Sequence, residues 1–165
     1  EELVLVVLHN WVEQLEGEAE ARIADIDCPE QRLRTLVEAQ MELFGRDRRT
    51  LQLMLSMLQA LQNTQNEPLY RDGIRQIVTA GRQVYRDLLL EGIACHQFHA
   101  SWADQADLMA TNLFAYLDGI ALHHIMIADF DLKPQIEAFL HHFIGKLRAP
   151  KTADPKELRS CAPIC

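Results

Sequence analysis

The chain has 165 residues, 48% of them hydrophobic and 24% charged, with a formal net charge of −8. That length suits one domain able to bury a core, and no apolar run approaches the roughly 18 residues that span a bilayer. Its Lys and Arg are scattered through an acidic chain, so it lacks the basic face that grips nucleic-acid phosphates and is not expected to read DNA itself.

The chain opens "EELVLVVLHNWVEQLE" with no initiator Met, and an apolar helical face is running by the third residue. It reads as the middle of something longer. Acidic residues precede the apolar stretch and "EQLEGEAEAR" follows it, which excludes a secretory signal and points to a cytoplasmic protein.

Apolar residues recur at three and four almost throughout, and no Val/Ile/Thr alternation suggests a strand. The first predicted helix runs from about Glu1 to Ile23, with Val4, Leu8, Trp11 and Leu15 on one face and Val7 beside them. "DIDCPEQ" breaks it. Pro29 suits the first turn of a second helix carrying Leu33, Leu36, Val37, Met41 and Phe44, with Gly45 placed to end it. Asp47 can cap a third, "RRTLQLMLSMLQALQN", which is apolar on most sides and therefore central. Asn66 and Pro68 open a fourth, from about Glu67 to Ala94. Ser101 to Asp104 resemble a capping box for a fifth helix running to about Ile127. After "ADFDLKP" a sixth runs from about Leu132 to Leu147, striped by Ile136, Phe139, Leu140, Phe143 and Ile144. Residues 149–165 lack periodicity and read as a disordered tail. The expectation is an all-α bundle of about six helices over residues 1–148.

Little in the chain points to catalysis or metal. Cys28, Cys95, Cys161 and Cys165 form no CxxC and no zinc framework, so free thiols are expected. The Glu-x-x-His pairs of di-iron bundles and HExxH are absent, as are Gly-rich phosphate loops. No catalytic residue, metal or cofactor is expected. His96 and His99 have metal-compatible spacing but sit at a helix end, where His is welcome on its own account. The tandem pairs His123-His124 and His141-His142 read as one surface and one interface residue each, with pH-dependent association as the sharper alternative. Gly119 lies inside a helix and is either an ordinary core Gly or, with Ala121, a notch for another backbone. Trp11, Met41, Phe44, Met54, Met57, Tyr85 and Phe114 are compatible with core or with a pocket, since Met serves both.

The order of these features resembles the C-terminal regulatory domain of TetR-family transcriptional repressors. "EELVLVVLHNWVE" resembles the connector that begins after the family's DNA-binding helices, and "CPEQRLRTLVEAQMELF" resembles its "dP-x-x-R-L-x-x-L-x-x-A" segment. "LLLEGIACHQF" is similar to "L-x-x-G-I-x-x-G-x-F", and "WADQADLMATNLFAYLDGIALHHIM" to a helix with a central "L-x-A-x-x-D-G-L". The likeness covers about Glu1 to Arg148, with His96 where that turn often has Gly and Cys28 where an acidic cap is usual.

This resemblance implies a missing N-terminal helix-turn-helix domain as the only contact with operator DNA. It implies a homodimer in which the last two helices and their symmetry mates form a four-helix bundle, with Leu117, Gly119, Ile120, His124, Phe139 and Phe143 as interface candidates. It also implies a mostly apolar pocket for a small-molecule effector, with Trp11, Met41, Met54, Leu58, Tyr85 and Phe114 as candidates. The alternative is a free-standing helical carrier domain without DNA function; an enzyme would need a polar constellation that the sequence does not display.

Overall fold

The computed structural model describes residues 2–46, 49, 52, 56 and 67–148. Five α-helices are described: α1 (Glu2–Ile23), α2 (Pro29–Arg46), α3 (Glu67–Ala94), α4 (Ala106–Met126) and α5 (Leu132–Arg148). A 3-10 helix, Ala100–Gln105, leads into α4. No strand occurs among the described residues. Most of the third helix read from the sequence, and the tail 149–165, lie outside them.

The local signals explain most boundaries. Pro29 is the first residue of α2, and the Cys28 carbonyl accepts from Arg32 N at 2.9 Å. The cap that Cys28 cannot supply well comes from far along the chain: Gln97 Oε1 accepts from Glu30 N at 2.9 Å and faces Cys28 Sγ at 3.4 Å. At the other end, α2 continues through Gly45 to Arg46, and no glycine takes a positive φ.

The end of α3 is a Schellman turn built on histidine. His96 has φ 59°, its N–H donates to Ile93 O at 3.0 Å, and Gln97 N donates to Gly92 O at 2.9 Å. This is the position where the family pattern favours glycine, and the backbone has kept the glycine-like conformation. Phe98 then folds back over Gly92, whose missing Cβ makes room: a Cβ there would lie 2.3 Å from the Phe98 ring.

The start of the next helix differs from the capping box expected at Ser101. His99 is the cap, extended at φ −71°, ψ 135°, its Nδ1 accepting from Ser101 N at 3.2 Å. The chain runs through a 3-10 turn before the α-helix begins at Ala106. Trp102 explains the tighter turn, because its side chain is buried there and must reach the core before α4 sets off. On the far side, Asp131 Oδ1 accepts from Lys133 N at 3.1 Å and opens α5.

Packing centres on α2, which touches α1, α3, α4 and α5. Leu33, Val37, Leu89, Leu113, Leu117, Leu140 and Leu147 are essentially inaccessible, each contributing about 1.5–3 kcal/mol by burial. No polar or charged residue is fully buried among the described residues. Two ion pairs close the seams: Arg32 with both Glu91 oxygens, and Arg148 with both Glu30 oxygens.

Candidate functional site

Three inner helix faces meet at Tyr85. This residue of α3 is 2% exposed, and its hydroxyl donates to Gln40 Oε1 on α2. Its ring meets Phe114 of α4 edge-on, with centroids 6.2 Å apart. Phe114 approaches α3 so closely that a Cβ on Gly81 would lie 2.7 Å from its ring. One helical turn beyond Phe114 stands Asp118, the single carboxylate in the stretch "LMATNLFAYLDGIALHHIMIA".

The electrostatics of this group are distinctive. Burial pushes the Tyr85 phenol above its usual range, and the Asp118 charge pushes it further. Desolvation likewise raises the Asp118 carboxyl above its ordinary value. Yet Asp118 is solvent-accessible, and no hydrogen bond or ion pair reaches it from the described residues.

The pocket residues expected from the sequence fall as follows. Met41 and Tyr85 are buried in one core cluster, with Phe114 half-buried against it. The Trp11 side chain, Met54 and Leu58 lie outside the described residues. The site thus brings together Tyr85 and Phe114, with Met41 in the same core cluster, and adds Gln40, Asp118 and Gly81, which sequence reasoning did not single out. A lone acid on an otherwise apolar helix was the available signal for Asp118. Nothing local marked Gln40. A separate open cleft of about 370 Å³ lies against Glu20, Ile23, Ala24, Ile26, Asp27, Arg32 and Glu91, and contains none of the expected residues.

The outer face of α4 has the opposite character. Leu108, Asn112, Ala115, Gly119, Leu122 and Met126 follow one another at steps of four and three, the spacing of a helix–helix seam. All are exposed except Gly119, which is half-exposed and has no atom within 4 Å of a notional Cβ. Met126 is 71% exposed and Leu108 54%. Gly119 is therefore no core glycine of this chain.

Of the other interface candidates, Leu117, Ile120 and Phe143 are buried in the chain's own core. Their side chains point inward, so a partner would meet the neighbouring outward positions. Phe139 is half-buried, stacked 3.9 Å from Tyr116 and 5.3 Å from Phe143. Half-buried His124 places Nδ1 3.2 Å from Phe130 O. His123, His141 and His142 are exposed. No group of three or more His, Cys, Asp or Glu that could hold a metal occurs among the described residues. Cys28 and Cys95 are free thiols; Cys161 and Cys165 lie outside the described residues.

Comparison of the sequence with family profiles matches it to the C-terminal domain of BetI-type transcriptional repressors over residues 29–149. The chain belongs to the TetR family. The matched span begins at the first residue of α2 and includes the Tyr85 group, the seam on α4 and all of α5. Neither a curated protein nor a solved structure gives a significant match. As a TetR-type C-terminal domain, the chain is a repressor's regulatory domain, in a family of non-enzymatic transcription regulators. Among the described residues no helix is long and apolar enough to cross a membrane.

Proposed function

We propose that this chain is the effector-sensing and dimerising part of a cytoplasmic TetR-like repressor. A small, mostly hydrophobic effector enters between α2, α3 and α4 beside Tyr85 and Phe114. Two copies pair through the outer faces of α4 and α5, and operator DNA is met only through a separate N-terminal helix-turn-helix domain. The observation that carries the reading is the segregation of α4. One side of the helix holds Phe114 against Tyr85, and a separate outer side offers an apolar seam that its own core leaves uncovered.

One helix lining both surfaces supplies a physical route for regulation. An effector that binds one arrangement of α4 better than another shifts the spacing of the paired copies by its difference in affinity. Small Gly119, Ala138 and Gly145 on the outer faces permit close helix approach.

The test is titration with Nile red, a neutral apolar dye. Saturable binding that weakens severalfold in Phe114→Ala supports the reading. Absent or non-saturable binding overturns the pocket.

A further inference from the structure

We propose that the cleft between the end of α1 and the Arg32–Glu91 pair binds a small amino acid in its zwitterionic form, the ligand carboxylate on Arg32 and the ligand ammonium on Glu20 and Asp27. The cleft, about 370 Å³, is formed by the last turn of α1, the α1–α2 connection, the first turn of α2 and the last turns of α3. It shares no lining residue with the Tyr85 group, so the proposal stands independently of the effector reading.

Arg32 carries the argument. Its Nη1 alone donates to both Glu91 oxygens, at 2.8 and 2.7 Å. Its Nε is buried with no hydrogen-bond partner, the one such side-chain atom among the described residues. Nη2 likewise makes no bond to a described residue. Nε and Nη2 form an edge of the guanidinium that grips a carboxylate with two parallel N–H donors. Arg148 uses that edge in the same chain: its Nε and Nη2 donate to the two Glu30 oxygens at 2.8 and 2.5 Å. On Arg32 the same edge lacks its acceptor, and a buried donor left unsatisfied is costly.

The acids decide which kind of carboxylate fits. Glu20 and Asp27 line the cleft, are exposed, and pair with no described residue. Their neighbours differ, since Glu18 faces Arg46 and Glu42 faces Arg22. A simple anion would satisfy Arg32 but meet the like charges of Glu20, Asp27 and Glu91. A simple cation would suit those acids and leave Nε without an acceptor. A zwitterion answers both. Ile23, Ala24 and Ile26 add an apolar wall for an aliphatic side chain. Because Arg32 and Glu91 tie α2 to α3, a ligand here braces the two helices that Gln40 and Tyr85 also join.

The experiment uses the full 165-residue chain and three probes of one shape: L-leucine, 4-methylpentanoate, which lacks the ammonium, and 3-methylbutylamine, which lacks the carboxylate. Affinities are read by calorimetry or ligand-observed NMR at pH 7.5. Leucine is expected to bind saturably, at least tenfold more tightly than either half-ligand, without displacing Nile red. Glu20→Gln/Asp27→Asn changes only exposed side chains and should erase the advantage of leucine over 4-methylpentanoate. Arg32→Lys keeps a cation for Glu91 but removes the two-donor edge, and should erase the advantage over 3-methylbutylamine. Circular dichroism verifies both folds, and the double variant decides alone where Arg32→Lys does not fold. Absent or non-saturable leucine binding, equal binding of leucine and either half-ligand, an undiminished preference in a folded variant, or displacement of Nile red overturns the proposal.

Discussion

Gly92 and Phe98 give the sharpest test of how this chain packs. Gly92 lies in the last turns of α3, where Ala is intrinsically better than Gly by about 1 kcal/mol. A Cβ at this position would sit 2.3 and 2.4 Å from Phe98 Cδ2 and Cε2, well inside contact distance. The ring has little freedom to retreat: Phe98 is 2% exposed, and its own N–H donates to Gly92 O at 3.0 Å. Overpacking of this kind costs about 1–3 kcal/mol, so Gly92→Ala should be destabilising by roughly 1–2 kcal/mol after the helix gain. Gly17 is the matched control, exposed inside α1 with nothing within 4 Å of a Cβ. Gly17→Ala should stabilise by about 0.5–1 kcal/mol. Urea unfolding followed by circular dichroism, at one fixed protein concentration, reads both. A Gly92→Ala variant as stable as Gly17→Ala would refute the account of the α3 terminus.

Other perturbations follow from the same physics. His96→Gly relieves a left-handed residue at the Schellman turn and should stabilise by about 0.5–1 kcal/mol in the same unfolding assay. Asp118→Asn should raise stability at pH 7, because a raised carboxyl pKa means the fold disfavours the ionised form. That advantage should fade as pH falls through the raised pKa, and thermal melts across pH 4–8, roughly spanning carboxylate titration, would reveal the slope. Tyr85→Phe removes the donor to Gln40 Oε1 and should cost about 1 kcal/mol in urea unfolding. Arg148→Ala breaks the clamp on Glu30, whose side chain is 17% exposed against 60% for Arg148, and should cost about 0.5–1 kcal/mol, less at high salt.

Helix periodicity made the bundle legible because each helix repeats its signal over several turns. Pro29 and the breaks at "DIDCPEQ" and "ADFDLKP" then placed the ends. What the sequence hid were long-range substitutions of one group for another. The cap of α2 comes from Gln97, 67 residues away, and His99 displaces Ser101 as the cap before α4 because Trp102 pulls the chain inward. The same limit applied to the site. Tyr85, Met41 and Phe114 could be chosen from apolar character, whereas Gln40 is identified only by its contact with Tyr85. Ile120 and Phe143 came as interface candidates from the family resemblance, and an apolar stripe does not say which of two apolar sides faces the chain's own core. On α4 both sides are apolar, and only packing separates Leu117 and Ile120 from Leu122 and Met126.

That separation is also what the central claim depends on. Ile120 and Phe143 are 5% and 8% exposed, so charging them would unfold the chain and say nothing about pairing. Leu122 and Met126 are 39% and 71% exposed, and aspartate at both should leave the monomer fold intact. Sedimentation velocity of the wild type and of Leu122→Asp/Met126→Asp, each checked by circular dichroism, is the most direct measurement. The account predicts a wild-type dimer and a folded, monomeric double variant, because a charge buried unpaired in the seam is strongly unfavourable. A wild type that stays monomeric at all concentrations, or a double variant that stays dimeric, would contradict it.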